Sequence, residues 1–165
     1  MRSHTGRVRG RTTGPATELA GARLLAALTA DDTAPAVEQF AFAFDPRFRP
    51  ILALIGVRPG TARVTLTPER LVARFGPWTC ETSIDNVRAV CRTGPYRWFK
   101  AIGPRGSFVD RGLTFGTTPK QGVCVLLHEP VPGLAPIGSF RHPGMTLTLA
   151  EPDRFVTSLR RHAGL

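Results

Sequence analysis

The chain reads as a mainly β domain of short antiparallel strands closed by one C-terminal helix. Three observations predict it. Bulky and small or polar residues alternate with period two in several short runs, the pattern of half-buried strands. The 165 residues include 15 Pro and 17 Gly, which break the chain into many turns. A single stretch, Glu151 to Gly164, carries a complete set of helix signals.

The elements follow in order. Residues 1–16 are rich in Arg, Gly and Thr, lack periodicity and predict a solvated, unordered tail. Leu24, Leu25 and Leu28 fall near one face of a short helix between Glu18 and Thr29, and Asp31 to Pro35 reads as a linker. The expected division is therefore a basic tail over residues 1–36 and one folded domain over 37–165. Phe40, Phe42 and Phe44 alternate with alanines, a strand ended by Asp45-Pro46. Pro50 to Ile55 suits one or two helical turns started by the proline. Ala62–Leu66 and Leu71–Phe75 alternate about Thr67-Pro68-Glu69-Arg70, a hairpin pattern. Gly76-Pro77 turns the chain into Trp78, Cys80 and Thr82. Strands are further expected at Val87–Cys91, Leu113–Phe115, Val123–Leu127 and Leu147–Leu149. Pro130 to Pro143 holds four prolines and reads as an irregular crossing loop. In the final helix Pro152 and Asp153 suit the first turn, while Phe155, Val156 and Leu159 make the apolar stripe. Arg160, Arg161 and His162 suit the negative end of the dipole, and Gly164 the C-cap. After so many strands, that stripe must bury itself against a sheet or barrel mouth.

Composition narrows the function. Net charge is +10, and 20 of the 22 cations are Arg, which with abundant Ala, Gly and Pro reflects a high-GC genome as much as any ligand. The distribution is more telling: residues 24–91 sum to zero, whereas residues 92–111 carry +4. That segment interleaves Arg92, Arg97, Lys100, Arg105 and Arg111 with Tyr96, Trp98, Phe99 and Phe108, and two Gly-Pro pairs punctuate it. If extended, Tyr96, Trp98, Lys100 and Ile102 share one face. Rings beside guanidinium groups suit a flat anion or a lipid interface, and Arg forks grip carboxylate or phosphate in two-point fashion. Arg92, Tyr96, Arg97, Trp98, Lys100, Arg105 and Arg111 are thus the candidate residues for an anionic partner. The competing reading is a hairpin whose rings finish the core while Arg stems cover it.

No catalytic constellation is legible. The 12 acidic residues form no acid–base dyad, and no phosphate-binding loop occurs. Cys124, His128 and His142 are too few and too widely spaced for a zinc site, so neither metal nor cofactor is expected. Cys80, Cys91 and Cys124 make an odd set without CxxC spacing and read as thiols of a reducing cytoplasm. No apolar run approaches the roughly 18 residues of a membrane span. Glu18 and Arg23 interrupt the early Leu/Ala stretch, against a cleaved signal peptide.

A resemblance adds to this. Many short strands followed by a helix of the form x-P-x-x-F-V-x-x-L resemble bacterial pleckstrin-homology-like (PH-like) domains. The string GPYRWFKAIGPRGSFVDRGLTFGT, with GVC, EPVPG and HPGMTLTLAEPDRFV after it, is similar to a family of small proteins of high-GC bacteria. It covers about Phe40 to Leu159. It implies a bent antiparallel barrel or sandwich of about seven to nine strands, capped by the C-terminal helix. It also implies a binding module rather than an enzyme. The expected partner is an acidic protein segment or an anionic membrane surface, with cytoplasmic location and peripheral attachment in the lipid case. A barrel enclosing a small ligand, with Trp98 near its mouth, is the alternative. Nucleic-acid binding through the tail and the basic segment is a weaker one.

Overall fold

The structure, a computed structural model, describes residues 37–97, 101–106, 111–134 and 140–165. The basic tail, the helix expected within residues 18–29 and the linker lie outside the described residues.

The first four strands are consecutive neighbours in one sheet: β1 (Glu38–Ala41), β2 (Ala62–Leu66), β3 (Arg70–Phe75) and β4 (Trp78–Ser83). Each pair is antiparallel, with Val64 opposite both Phe40 and Ala73. The turns are set locally. Thr67 accepts through its hydroxyl from the backbone N–H of Glu69 and Arg70, closing the β2–β3 hairpin. Between β3 and β4 Gly76 adopts φ +61°, and a Cβ there would meet the Gly56 carbonyl oxygen at 2.9 Å, so this turn needs glycine. The β1–β2 connection carries α1 (Arg49–Leu54), with Pro50 in its first turn as expected.

The second sheet holds β5 (Val87–Thr93), β6 (Gly103–Gly106), β7 (Leu113–Gly116), β8 (Gly122–Pro132) and β9 (Arg141–Leu147). Their spatial order is β5-β8-β9-β7-β6. Two expectations are corrected here. First, the strands are not all antiparallel: β7 runs parallel to β9, pairing Phe115 with Leu147. Second, the Pro-rich stretch 130–143 is only partly a loop, because β8 runs on to Pro132 and β9 starts at Arg141. Beyond Leu127 β8 has lost β5 and keeps β9 on one side, so prolines without an N–H are tolerated there; a register shift between Leu126 and Val131 absorbs the irregularity. Gly103-Pro104, one of the two pairs that punctuate the basic segment, lies in a strand. It starts β6, an edge strand, where proline is also tolerated.

The two sheets do not close into a barrel. They form a sandwich joined at one corner by a bridge between Phe42 and Leu149. There Ala43 donates to Thr148 O and Asp45 donates to Thr117 O. The buried Thr117 and Thr148 hydroxyls bond one another at 3.0 Å, leaving neither unsatisfied. Phe42, Phe75 and Phe115 fill the space between the sheets, with the Phe75 and Phe115 rings stacked at 4.9 Å and Phe42 edge-on to Phe75.

The C-terminal helix α2 (Pro152–Ala163) forms as its signals predict, with Gly164 left-handed at its C-cap. Phe155, Val156 and Leu159 are buried, and Phe155 meets Phe40 of β1 edge-on at 5.1 Å. Glu38 ties the helix to β1. It accepts from Ser158 Oγ and from an Arg161 Nη2, both at 2.8 Å. Partial burial works against its ionised form, but the Ser158 and His162 hydrogen bonds and the Arg161 charge outweigh this and lower its pKa.

Candidate anion-binding face

On the outer side of the second sheet one row of side chains crosses all five strands. The register runs Cys91, Cys124, Thr146, Thr114, Arg105, from β5 to β6. Their alternates, such as Val90, Val125, Leu147 and Phe115, point into the core. This row is the frame on which the basic segment is laid out.

Among the described residues, Arg92 and Arg105 are not brought to one point. Arg92 lies on β5, where its Nη1 donates to both carboxylate oxygens of Asp153 at 2.9 and 3.0 Å and its Nη2 reaches Gln121. It clasps α2 to the sheet. Arg105 is on β6, four strand spacings away, which at about 4.8 Å each is roughly 19 Å. No small anion bridges that span. Arg111 is exposed with φ 56°, and its carbonyl accepts from His142 Nδ1 at 2.7 Å. The carbonyl has no hydrogen to give, so Nδ1 carries the proton. Arg97 is exposed, and Trp98 and Lys100 lie outside the described residues.

Tyr96 is part of the scaffold. Its N–H donates to Pro119 O, and its ring covers Gly122, where a Cβ would meet the phenol oxygen at 3.0 Å. The hydroxyl is shielded and lacks a hydrogen-bond partner. Burial pushes its pKa up, and the neighbouring Thr93 side chain partly opposes this. The segment is not one extended strand either, since Ala101 is helical and buried with its carbonyl packed on Gly116.

One cation that sequence reasoning passed over holds a better position. Arg88 sits at a β-bulge in β5, where the register to β8 shifts between Val87 and Ala89. Bulges re-aim side chains, and Arg88 borders a cup of about 270 Å³ on the outer face. Thr114, Thr146, Cys124, Leu126, Pro143 and Gly144 also line it. Among the described lining residues none is a carboxylate. Arg105 lies beside Thr114 at the β6 edge. Sequence alone shows Arg88 as a cation on a strand face; the bulge and the cup need the ladder.

A second, more open depression has the opposite character. A cleft of about 900 Å³ is bordered by Glu69, Glu81, Asp85 and Glu129, with Arg70 already paired to Glu81. His128 borders it too, whereas Cys124 borders the cup, so these two do not share a site. Among the described residues no cluster of three or more His, Cys, Asp or Glu side chains is placed to hold a metal ion. No described helix is long and apolar enough to cross a membrane. Comparison with family models, with curated proteins and with solved structures finds no match for this chain.

Proposed function

We propose that the protein is a non-enzymatic interaction module of the PH-like type, binding an acidic protein segment on the outer face of its second sheet. The observation that carries this reading is the cup bordered by Arg88. It is lined by Arg88, Thr114 and Thr146, with no described carboxylate to neutralise the cation. Arg105 at the adjoining edge extends the positive surface along an incoming chain. The large exposed apolar side chains, such as Ile51 and Leu54 of α1, do not line this cup, which favours a protein segment over a lipid headgroup there. The PH-like assignment is supported by a four-stranded meander followed by a second sheet and one helix packed beside β1 and β5. The parallel β7–β9 pair is a departure from it.

Fluorescence anisotropy with a labelled oligoglutamate peptide tests the reading. Arg88→Ala is expected to weaken binding about tenfold, the loss of one charge-assisted contact, and added salt to weaken it further. Peptide binding indifferent to Arg88→Ala would remove the cup from consideration. Sedimentation with phosphatidylglycerol vesicles, without peptide binding, would replace the acidic segment by a lipid surface.

A further inference from the structure

We propose that Cys91 and Cys124 form a reversible oxidation site, a cross-strand dithiol on the outer face of the second sheet that closes to a disulfide when exposed to hydrogen peroxide. The two residues are direct partners in the antiparallel β5–β8 ladder. Direct partners in such a ladder have Cα atoms about 4.5–5.5 Å apart, inside the span of about 4.4–6.8 Å that disulfides occupy. Both side chains leave the same face, since Val90 and Val125, one residue away on each strand, are buried on the other. The ladder continues on either side of the pair, from Ala89–Leu126 to Thr93–Gly122, and β9 pairs with β8 along its other edge, which holds the two backbones in register.

The surroundings favour closure within one chain. Cys91 is exposed and Cys124 half-buried. An oxidant therefore reaches Cys91 first. Two residues further along the same face, Tyr96 lies over Gly122 and shields that flank from a second bulky thiol. The third cysteine is a built-in control: Cys80 is buried in the first sheet, and burial pushes its thiol up to about 12. It is inert at neutral pH.

The chemistry balances. The Cys91 thiolate attacks one peroxide oxygen, breaking the O–O bond; the leaving hydroxide takes up the thiol proton as water, and Cys91 becomes a sulfenic acid. Cys124 Sγ then attacks the Cys91 sulfur, the S–S bond forms, and the sulfenyl oxygen leaves as a second water. Two thiols are oxidised and one peroxide is reduced to two waters. A dithiol reductant reverses the step by exchange. Cys124 also lines the cup, but the dithiol does not depend on what the cup binds.

Intact-mass and peptide-mapping analysis of the reduced full chain, treated with hydrogen peroxide, tests it. The expected result is a monomer lighter by roughly 2 Da, with Cys91 joined to Cys124, Cys80 still a thiol, and full reversal by dithiothreitol. In Cys124→Ser the reaction is expected to stop at a Cys91 sulfenic acid that dimedone captures. Should that variant not fold, Cys91→Ser, at an exposed position, is expected to leave Cys124 reduced at the same dose. Over-oxidation of Cys91 in the wild type while Cys124 stays a thiol, a link only between chains, or a link through Cys80 would each overturn the proposal.

Discussion

The first sheet is assembled from neighbours in the chain, whereas the second is assembled from segments that are far apart. In the first, β1 to β4 lie side by side in sequence order. Turn chemistry at Thr67 and Gly76 sets the hairpins before any long-range contact is needed. In the second, β5 pairs with β8, and β7 with β9 in parallel, so every pairing but β6–β7 and β8–β9 must be found across intervening elements. The first sheet keeps its polar residues out and its core residues in with little exception. The second carries the bulge, the register shifts, the cup and the thiol pair. Features available for function gather where pairing is non-local and imperfect.

The largest expected effect breaks this contrast at its non-local end. A Cβ at Gly116 would lie 1.4 Å from the Ala101 carbonyl oxygen, a backbone atom that cannot step aside cheaply. Gly116→Ala is expected to destabilise the protein by about 3 kcal/mol or more, read from urea unfolding. A near-neutral result would mean that the 101–116 contact is loose and that the second sheet tolerates a shift.

A smaller effect sharpens how the first sheet is joined to the C-terminal helix. Glu38→Ala removes the acceptor for Ser158 and Arg161, and with it the carboxylate near Arg154, whose guanidinium lies over the Phe40 ring. A loss of roughly 1–2 kcal/mol is expected. Arg92→Ala, at the clasp of α2 to β5, is expected to cost less than about 1 kcal/mol because that pair is exposed.

The smallest effect is read through pH at the corner where the sheets meet. Hydrogen bonds from the Arg47 side chain and N–H hold Asp45 at about 2, below its ordinary 3.8. A depressed carboxylate contributes stability above its ordinary pKa and loses it as pH falls through the folded value. Thermal unfolding is therefore expected to shift downward from about pH 4 to pH 2 in the wild type. The Asp45→Asn variant is expected to be less stable at neutral pH, with a shallower acid slope.

How much was legible in the chain follows the same division. Phe40 and Phe42, the Thr67–Arg70 turn, Trp78 and Cys80 announce their faces by alternation, and Pro152, Phe155, Leu159 and Gly164 announce the last helix. Each of these signals acts over a few residues. The Pro130–Pro143 stretch misled because proline's cost in a strand depends on whether a neighbour waits for its N–H, which is a property of the sheet. The basic segment divides for a related reason. Charge counting places Arg92 and Arg105 thirteen residues apart in one patch, but the strand order puts them on opposite edges of one sheet.

By itself the sequence determined the β character of the domain, the first hairpins, the closing helix with its buried stripe, and the local excess of positive charge. Those depend on periodicity, turn chemistry and capping, which are short-range. Only the tertiary structure decided that β7 runs parallel to β9, that Arg92 is spent on Asp153 while Arg88 borders a cup, and that Cys91 faces Cys124. Those depend on which strands become neighbours and in what register. That choice is made by burying Phe75 against Phe115 and Phe40 against Phe155 across the whole chain, and no local pattern encodes it.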